Sequence, residues 1–363
     1  MVRGYSRTIF QYFSKTITSL NYLTYTQVKP RYITMSKSLK IGTHDGCFHC
    51  DEALACFMLK TLPQYKDAVI VRSRDKSILD TCDIVIDVGG EYNPSKHRYD
   101  HHMRDFKESL STVVKKPGYN SDIKLSSAGL IYCHFGHEII KHLIPQLSNN
   151  DVEAVFKQIY NTFIKEIDGI DNGIPMFKEE PVYGIVTDLS SRVQFLNVPW
   201  NDKTRTSDEQ FPKAVELTGQ EFLQHLNYAA HVWLPAKIIV QDAIAKRFEV
   251  DPSGEIIELS QPVPWSEHLF ELEKEMNVEP LLKYMIFKES NYRIRCVPVK
   301  PKSFVARLFL PEAWAGLRNE ALETACGVPG AEFVHTIRFT GGHNTREGAL
   351  MMARKALELG KTI

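Results

Sequence analysis

Ile41-Gly42-Thr43-His44-Asp45-Gly46-Cys47-Phe48-His49-Cys50-Asp51-Glu52 reads as a strand end, a loop and a helix start, with metal-type ligands packed into the junction. Leu39 to Thr43 is apolar enough for a buried strand. From about Asp51 to Leu62 a helix is predicted, with Asp51 at the N-cap and Ala53, Leu54, Phe57 and Met58 as its buried stripe. Ala68 to Ser73 and Asp83 to Val88 are two further short strands rich in Val and Ile, and His97-Arg98-Tyr99-Asp100-His101-His102 follows. Strand, helix, strand, strand predicts a parallel sheet in an α/β domain. Ligands bind beyond the carboxyl ends of such strands, which is where His44, Asp45, His49, Asp51 and Asp87 should emerge.

Five of the thirteen histidines fall between Ile41 and His102, among at least three carboxylates with no lysine or arginine beside them. Carboxylate and imidazole together suit Mn²⁺ or Mg²⁺, which bridge phosphate oxygens and lower the pKa of bound water. Two ions need several ligands, and His44, His49, Asp51, Asp87, Asp100 and His101 supply that number. Cys47-Phe48-His49-Cys50 also has the form of a redox pair. Zinc held by four protein ligands would need a second cysteine pair, and Cys56, Cys82, Cys133, Cys296 and Cys326 are isolated from one another.

Composition narrows the classes. At 363 residues and 43% apolar, the chain can bury a sizeable core and is expected to form two domains. Lys plus Arg equals Asp plus Glu at 44 each, so no global basic field advertises a polyanion partner and any nucleic-acid contact must be a local patch. Seven irregularly spaced cysteines do not read as a disulfide framework and fit a reducing compartment. No apolar run reaches the roughly 20 residues that span a bilayer, so no membrane partner is expected. Residues 1–40 differ from the rest: they hold seven Lys or Arg, eleven Ser or Thr and no Asp or Glu. That is the composition of a mitochondrial transit peptide, or of a plain basic tail. Met35 offers a second start and a cytosolic or nuclear form.

Ser126-Ser127 can cap a helix to about Leu143. A helix starting at Asp151 ends in Glu166-Ile167-Asp168-Gly169-Ile170-Asp171-Asn172-Gly173, where Asp168 or Asp171 can reach the metals, although glycine with Asp and Asn is also ordinary turn chemistry. Residues 198–212 read as loop and Lys213 to Val250 as a long helix interrupted near Pro235. Strands are predicted at Glu255 to Leu259, Leu282 to Lys288, Tyr292 to Val299 and Phe333 to Phe339. The last leads into Gly341-Gly342-His343, then a helix from about Glu347 to Leu359. Those glycines let backbone N–H groups approach an anion, with His343 or Arg346 adding a donor. Arg293, Arg295, Arg307 and Arg338 alternate with apolar residues, as a phosphate groove or a solvated sheet face would.

Asp100-His101-His102, after a strand-end Asp87 and a His- and Asp-rich loop, resembles the DHH phosphoesterase superfamily. The resemblance is closer to its melanocyte-proliferating-gene (MYG) exonuclease branch and runs from Leu39 to the C-terminus. It implies a parallel-sheet DHH-type catalytic domain over residues 39–200, a helical connector over 201–250 and a smaller α+β substrate-binding domain over 251–363, after a targeting segment at 1–38. It further implies a divalent-metal 3′ to 5′ exonuclease on single-stranded RNA in mitochondria and nucleus. Carried over by position, His44, His49, Asp51, Asp87, Asp100, His101 and Asp168 are metal ligands and His102 orients a ligand or the leaving oxygen. Gly341, Gly342, His343 and Arg346 fall in the substrate-phosphate loop. Asp87, His102 and His343 are then the catalytic candidates. His49 stands where many superfamily members have Asp, which lowers the site's negative charge and favours Mn²⁺ or another transition ion over Mg²⁺. Other readings of the same residues are a small-molecule phosphohydrolase, such as a pyrophosphatase or cyclic-dinucleotide phosphodiesterase, and an RNA-binding protein with a structural metal. Self-association is left open.

Overall fold

A computed structural model describes residues 38–360; the basic N-terminal stretch and Met35, on which the targeting expectation rests, lie outside the described residues. The chain forms two five-stranded sheets. The first contains β1 (Lys40–Thr43), β2 (Val69–Arg72), β3 (Ile84–Ile86), β4 (Tyr92–Asn93) and β5 (Arg98–Tyr99) in the order β2-β1-β3-β5-β4. All neighbours run parallel except β4, which closes the edge antiparallel to β5. Because β1, β3 and β5 are parallel, their carboxyl ends open on one side, and His44, Asp87 and the pair Asp100-His101 leave the sheet together.

Helix α1 (Cys50–Thr61) follows β1. Its N-cap is His49, two residues before the predicted Asp51, because the Glu52 carboxylate reaches back to accept the His49 N–H at 2.8 Å. The helix therefore begins one step earlier and places both Asp51 and Glu52 in its first turn. The short α2 (Lys76–Leu79) and α3 (Leu110–Val114) precede α4 (Ser127–Leu143), whose N-cap Ser126 hydroxyl accepts from Gly129 N. Next come α5 (Asn149–Ile159), a wide π-turn at Tyr160–Ile164, and α6 (Lys165–Asp171). After α7 (Leu189–Gln194), α8 (Ser207–Tyr228) starts six residues before the predicted Lys213. A Thr206/Glu209 capping box fixes the earlier start and overrides the loop-like composition. Residues such as Leu54, Ile131, Phe156 and Phe222, from α1, α4, α5 and α8, share one core.

A second π-turn, Ala229–Trp233, leads into α9 (Leu234–Ala245), close to the break expected at Pro235, and α10 (Arg247–Val250) follows. The second sheet holds β6 (Ile256–Glu258), β7 (Tyr284–Lys288), β8 (Tyr292–Cys296), β9 (Ala331–Val334) and β10 (Thr340–His343) in the order β6-β7-β8-β10-β9. Helices α12 (Asn319–Cys326) and α13 (Arg346–Gly360) share a core with one of its faces. Helices α9 and α11 (Ser266–Glu275) share one with the other.

The single strand expected at Phe333 to Phe339 is instead a hairpin. The chain turns after Val334, with His335 N bonded to Thr340 O and Arg338 at a φ of 59°. Gly341 and Gly342 are thus strand residues between β8 and β9 and not a loop. Packing explains glycine there: a Cβ on Gly342 would lie 2.4 Å from the Phe333 ring. Among the described residues no helix is long and apolar enough to cross a membrane.

Candidate metal centre

His44, the first residue past β1, places Nε2 3.0 Å from Glu52 Oε1 and 3.3 Å from Asp87 Oδ2. Asp87, the first past β3, has a φ of 60°, a left-handed conformation that costs a non-glycine residue energy and tends to persist at functional sites. Its Oδ1 lies 3.2 Å from His101 Nε2 and accepts from Ser127 Oγ at 3.1 Å. Past β5, Asp100 Oδ2 accepts from Gly90 N, and Oδ1 lies 2.7 Å from His102 Nδ1. His101 Nε2 is also 3.2 Å from Asp171 Oδ2 and 3.9 Å from Asp51 Oδ2.

Three groups of ligand atoms are each close enough to hold a cation: His44, His49, Glu52 and Asp87; Asp87, His101 and His102; and Asp51, His101 and Asp171. Asp87 and His101 each belong to two groups. The parallel sheet brings three strand ends together, and the first turn of α1 and the end of α6 add the other carboxylates.

The electrostatics show what this arrangement lacks. Among the described residues, the only ion-pair partners of Asp51, Glu52, Asp87, Asp100 and Asp171 are histidines. Burial pushes the Glu52 carboxyl up to about 8, more than its hydrogen bond with His44 pulls it down. Burial and the neighbouring Asp51 and Asp87 push Asp171 up to about 10, and burial with Asp87 also raises Asp51. Asp87 goes the other way, below the usual carboxylate range, because hydrogen bonds from His101 and His44 outweigh its burial. Burial opposes charge on His44, yet hydrogen bonds to Asp87 and Glu52 raise it to about 10. The Asp100 hydrogen bond likewise raises His102.

So much unneutralised buried acid is what a bound cation relieves. The donor set is all oxygen and imidazole nitrogen, and the buried Asp51 Oδ1 has no hydrogen-bond partner. Both observations fit a divalent ion.

Eight of the residues singled out in the sequence meet here: His44, His49, Asp51, Asp87, Asp100, His101, His102 and Asp171. Asp168 is fully buried near them but spends Oδ1 on Ser126 N (2.9 Å) and Ser126 Oγ (2.7 Å) at the start of α4, and belongs to none of the three groups. Asp171, one turn later, supplies the ligand atom from α6. Glu52 was missed; its spacing of three from His49 was the available signal.

In the second sheet, His343 is buried, with Nε2 2.9 Å from Pro329 O and Nδ1 accepting from Thr345 N. Arg346 makes a forked pair with Glu258. Gly341 and Gly342 carry strand pairing. All seven cysteines are free; Cys47 is exposed, whereas burial and Asp51 raise the Cys50 thiol well above its ordinary value. A cavity of about 570 Å³ opens beside His101, His102 and Asp171 and is also lined by Lys124, Ser190 and Gln194.

An α/β fold whose strand ends gather buried carboxylates and imidazoles defines a candidate metal-centre protein. The chain belongs to the MYG1 exonuclease family, described as an uncharacterised protein family (UPF0160), whose family model matches residues 40–357. It is 50% identical over 323 residues to the human protein named MYG1 exonuclease, covering 88% of this chain and 85% of that one. Identity to the rat protein of the same name is 49%, over 88% and 84%. The Caenorhabditis elegans MYG1 protein C27H6.8 is 46% identical over 328 residues, 88% of this chain and 96% of that one. No solved structure matches the chain.

Proposed function

We propose that this protein is a divalent-metal-dependent phosphodiesterase of the DHH type, acting as a 3′ to 5′ exonuclease on single-stranded RNA. The observation that carries the reading is the convergence of three strand ends on Asp87, which the His44, His101 and His102 imidazoles all approach. Relatives named exonuclease point to a nucleic-acid phosphodiester as the bond cleaved.

His44, His49, Glu52, Asp51, Asp87, His101 and Asp171 would hold two divalent ions, Mn²⁺ favoured over Mg²⁺, while Asp100, expected as a ligand, belongs to none of the three groups and orients His102 instead. Bound there, divalent ions supply charge neutralisation for phosphate oxygens and a more acidic water. The chain's own residues do the rest. Asp100 fixes the His102 ring through Nδ1 and favours its protonated form, so that Nε2 can give a proton to the departing oxygen. The His102 side chain is 62% exposed, so an incoming strand can reach it. Lys124 faces the same cavity and offers a cation to the phosphate.

Residues 39–200 form the metal-binding unit, 201–250 a connector and 251–363 a substrate-binding unit. The acid-free first 40 residues support a mitochondrial address, with a start at Met35 giving a nuclear or cytosolic form.

The test is an end-labelled single-stranded RNA incubated with the full chain under Mn²⁺, Mg²⁺ or chelator, beside Asp87→Asn. The expected result is a metal-dependent ladder shortening from the 3′ end and absent from the variant. Normal turnover by Asp87→Asn refutes the assignment. Activity confined to short nucleotides would move the substrate to small phosphoesters, and salt-sensitive RNA binding without product would leave a binding protein.

A further inference from the structure

Part of one face of the second sheet is left open beside α11. Strand β8 alternates: Ile294 and Cys296 are buried in the core shared with α12 and α13, so Arg293 and Arg295 project from the opposite face. A cavity of about 450 Å³ lies there, lined by Trp265, Phe304 and Phe339 with Arg295, Lys302 and Glu267. It shares no residue with the cavities at the metal centre.

Arg295 is the informative side chain. Its guanidinium carbon sits 4.5 Å from the Phe339 ring centroid, and among the described residues it makes no side-chain hydrogen bond or ion pair. Other arginines of the second sheet and its flanking segments differ: Arg293 pairs with Glu289, Arg307 with Glu273, Arg346 with Glu258 and Arg354 with Asp251. Glu267, the carboxylate on the cavity wall, is within ion-pair distance of neither Arg295 nor Lys302. A half-buried guanidinium without a carboxylate bears a desolvation cost that an anion would offset. Phe339 holds its plane by cation–π contact, leaving the N–H edges for a forked acceptor such as phosphate. Phe304 is 76% exposed, and an aromatic wall of this kind stacks nucleobases irrespective of identity. The volume falls in the usual range of small-ligand sites, roughly 300 to 1,000 Å³.

We propose that this cavity binds a nucleoside 5′-monophosphate, with the base against Trp265 and Phe304 and the phosphate on Arg295 and Lys302. The unit comes either as a free nucleotide or as one residue of a strand. The site works without metal and stands apart from the proposed catalytic centre.

The test is titration of the full chain with AMP in excess chelator, read by tryptophan fluorescence and by calorimetry. The expected result is saturable binding, a fluorescence change that Trp265→Phe removes, and at least tenfold weaker binding in Arg295→Met and in Phe304→Ala. Phe304 is too exposed for its removal to unfold the protein. Asp87→Asn should bind AMP as the parent does. A tetraribonucleotide binding more tightly than AMP identifies a strand as the source; AMP binding alone identifies the free nucleotide. Absence of saturable AMP binding, or binding unchanged in both cavity variants, overturns the proposal. So does inorganic phosphate binding as tightly as AMP, because the aromatic wall would then contribute nothing.

Discussion

Asp168→Asn separates a helix-positioning carboxylate from a metal ligand. Oδ1 of Asp168 accepts from both the backbone N–H and the hydroxyl of Ser126, and an asparagine oxygen can accept the same two bonds. Burial lifts the carboxyl from 3.8 to about 7 despite those bonds. The sign follows: a folded-state pKa above the unfolded one means that the ionised form is disfavoured in the fold. Stability from this group is therefore complete below about pH 4, falls as pH rises to about 7, and is flat beyond. Three pKa units at about 1.4 kcal/mol each give a ceiling of about 4 kcal/mol at pH 8. Asparagine carries no such cost. Thermal melts of parent and variant in chelator at pH 5 and pH 8 should show the variant gaining with pH, by roughly 5 °C or more. Mn²⁺ titrations of the same proteins should leave Asp168→Asn near parental affinity and weaken Asp171→Asn at least tenfold. The reverse order, with Asp168→Asn losing the metal and Asp171→Asn keeping it, would refute the reasoning.

Lys124→Met should raise KM for RNA by about tenfold with little change in kcat and unchanged Mn²⁺ affinity, since the lysine faces the cavity but belongs to no ligand group; a matching loss of metal binding would argue against that placement. Because Glu52 and Asp171 sit at about 8 and about 10, both are protonated at pH 7 without metal, so ion binding should release protons. Calorimetry in buffers of different ionisation enthalpy measures this, and buffer-independent heats would contradict it. Removing the Glu258–Arg346 fork with Arg346→Met should cost about 1 kcal/mol of stability in a denaturant melt and leave KM for RNA unchanged. A large KM effect would return Arg346 to the substrate.

Much of the candidate cluster was legible because part of its chemistry sits at strand ends. The predicted strands at Leu39 to Thr43 and Asp83 to Val88 carry β-branched residues and end at His44 and Asp87, so the pattern that locates β1 and β3 also locates those two side chains; β5 is only Arg98-Tyr99 and has no strand signature, so Asp100 and His101 stood out by residue type alone. The choice between Asp168 and Asp171 was not legible. The π-turn at Tyr160–Ile164 breaks the 3.6-residue count, and a helical wheel begun at Asp151 cannot say which carboxylate faces the strands. In the second sheet, Gly341 and Gly342 have loop composition, but their need for glycine comes from Phe333 across the pairing. Pro329 and Glu258, the partners of His343 and Arg346, lie 14 and 88 residues away in sequence. No local motif could reveal those contacts.

Glu52 Oε1 lies 2.8 Å from the His49 amide and 3.0 Å from His44 Nε2, so one oxygen serves the start of α1 and the edge of the candidate metal centre at once. Helix α1 in turn packs its buried residues in the central core. Any ion that draws on Glu52 therefore tugs on the backbone of a core helix. The exchange rate of a single amide hydrogen, that of His49, becomes a gauge of occupancy that can be read without substrate.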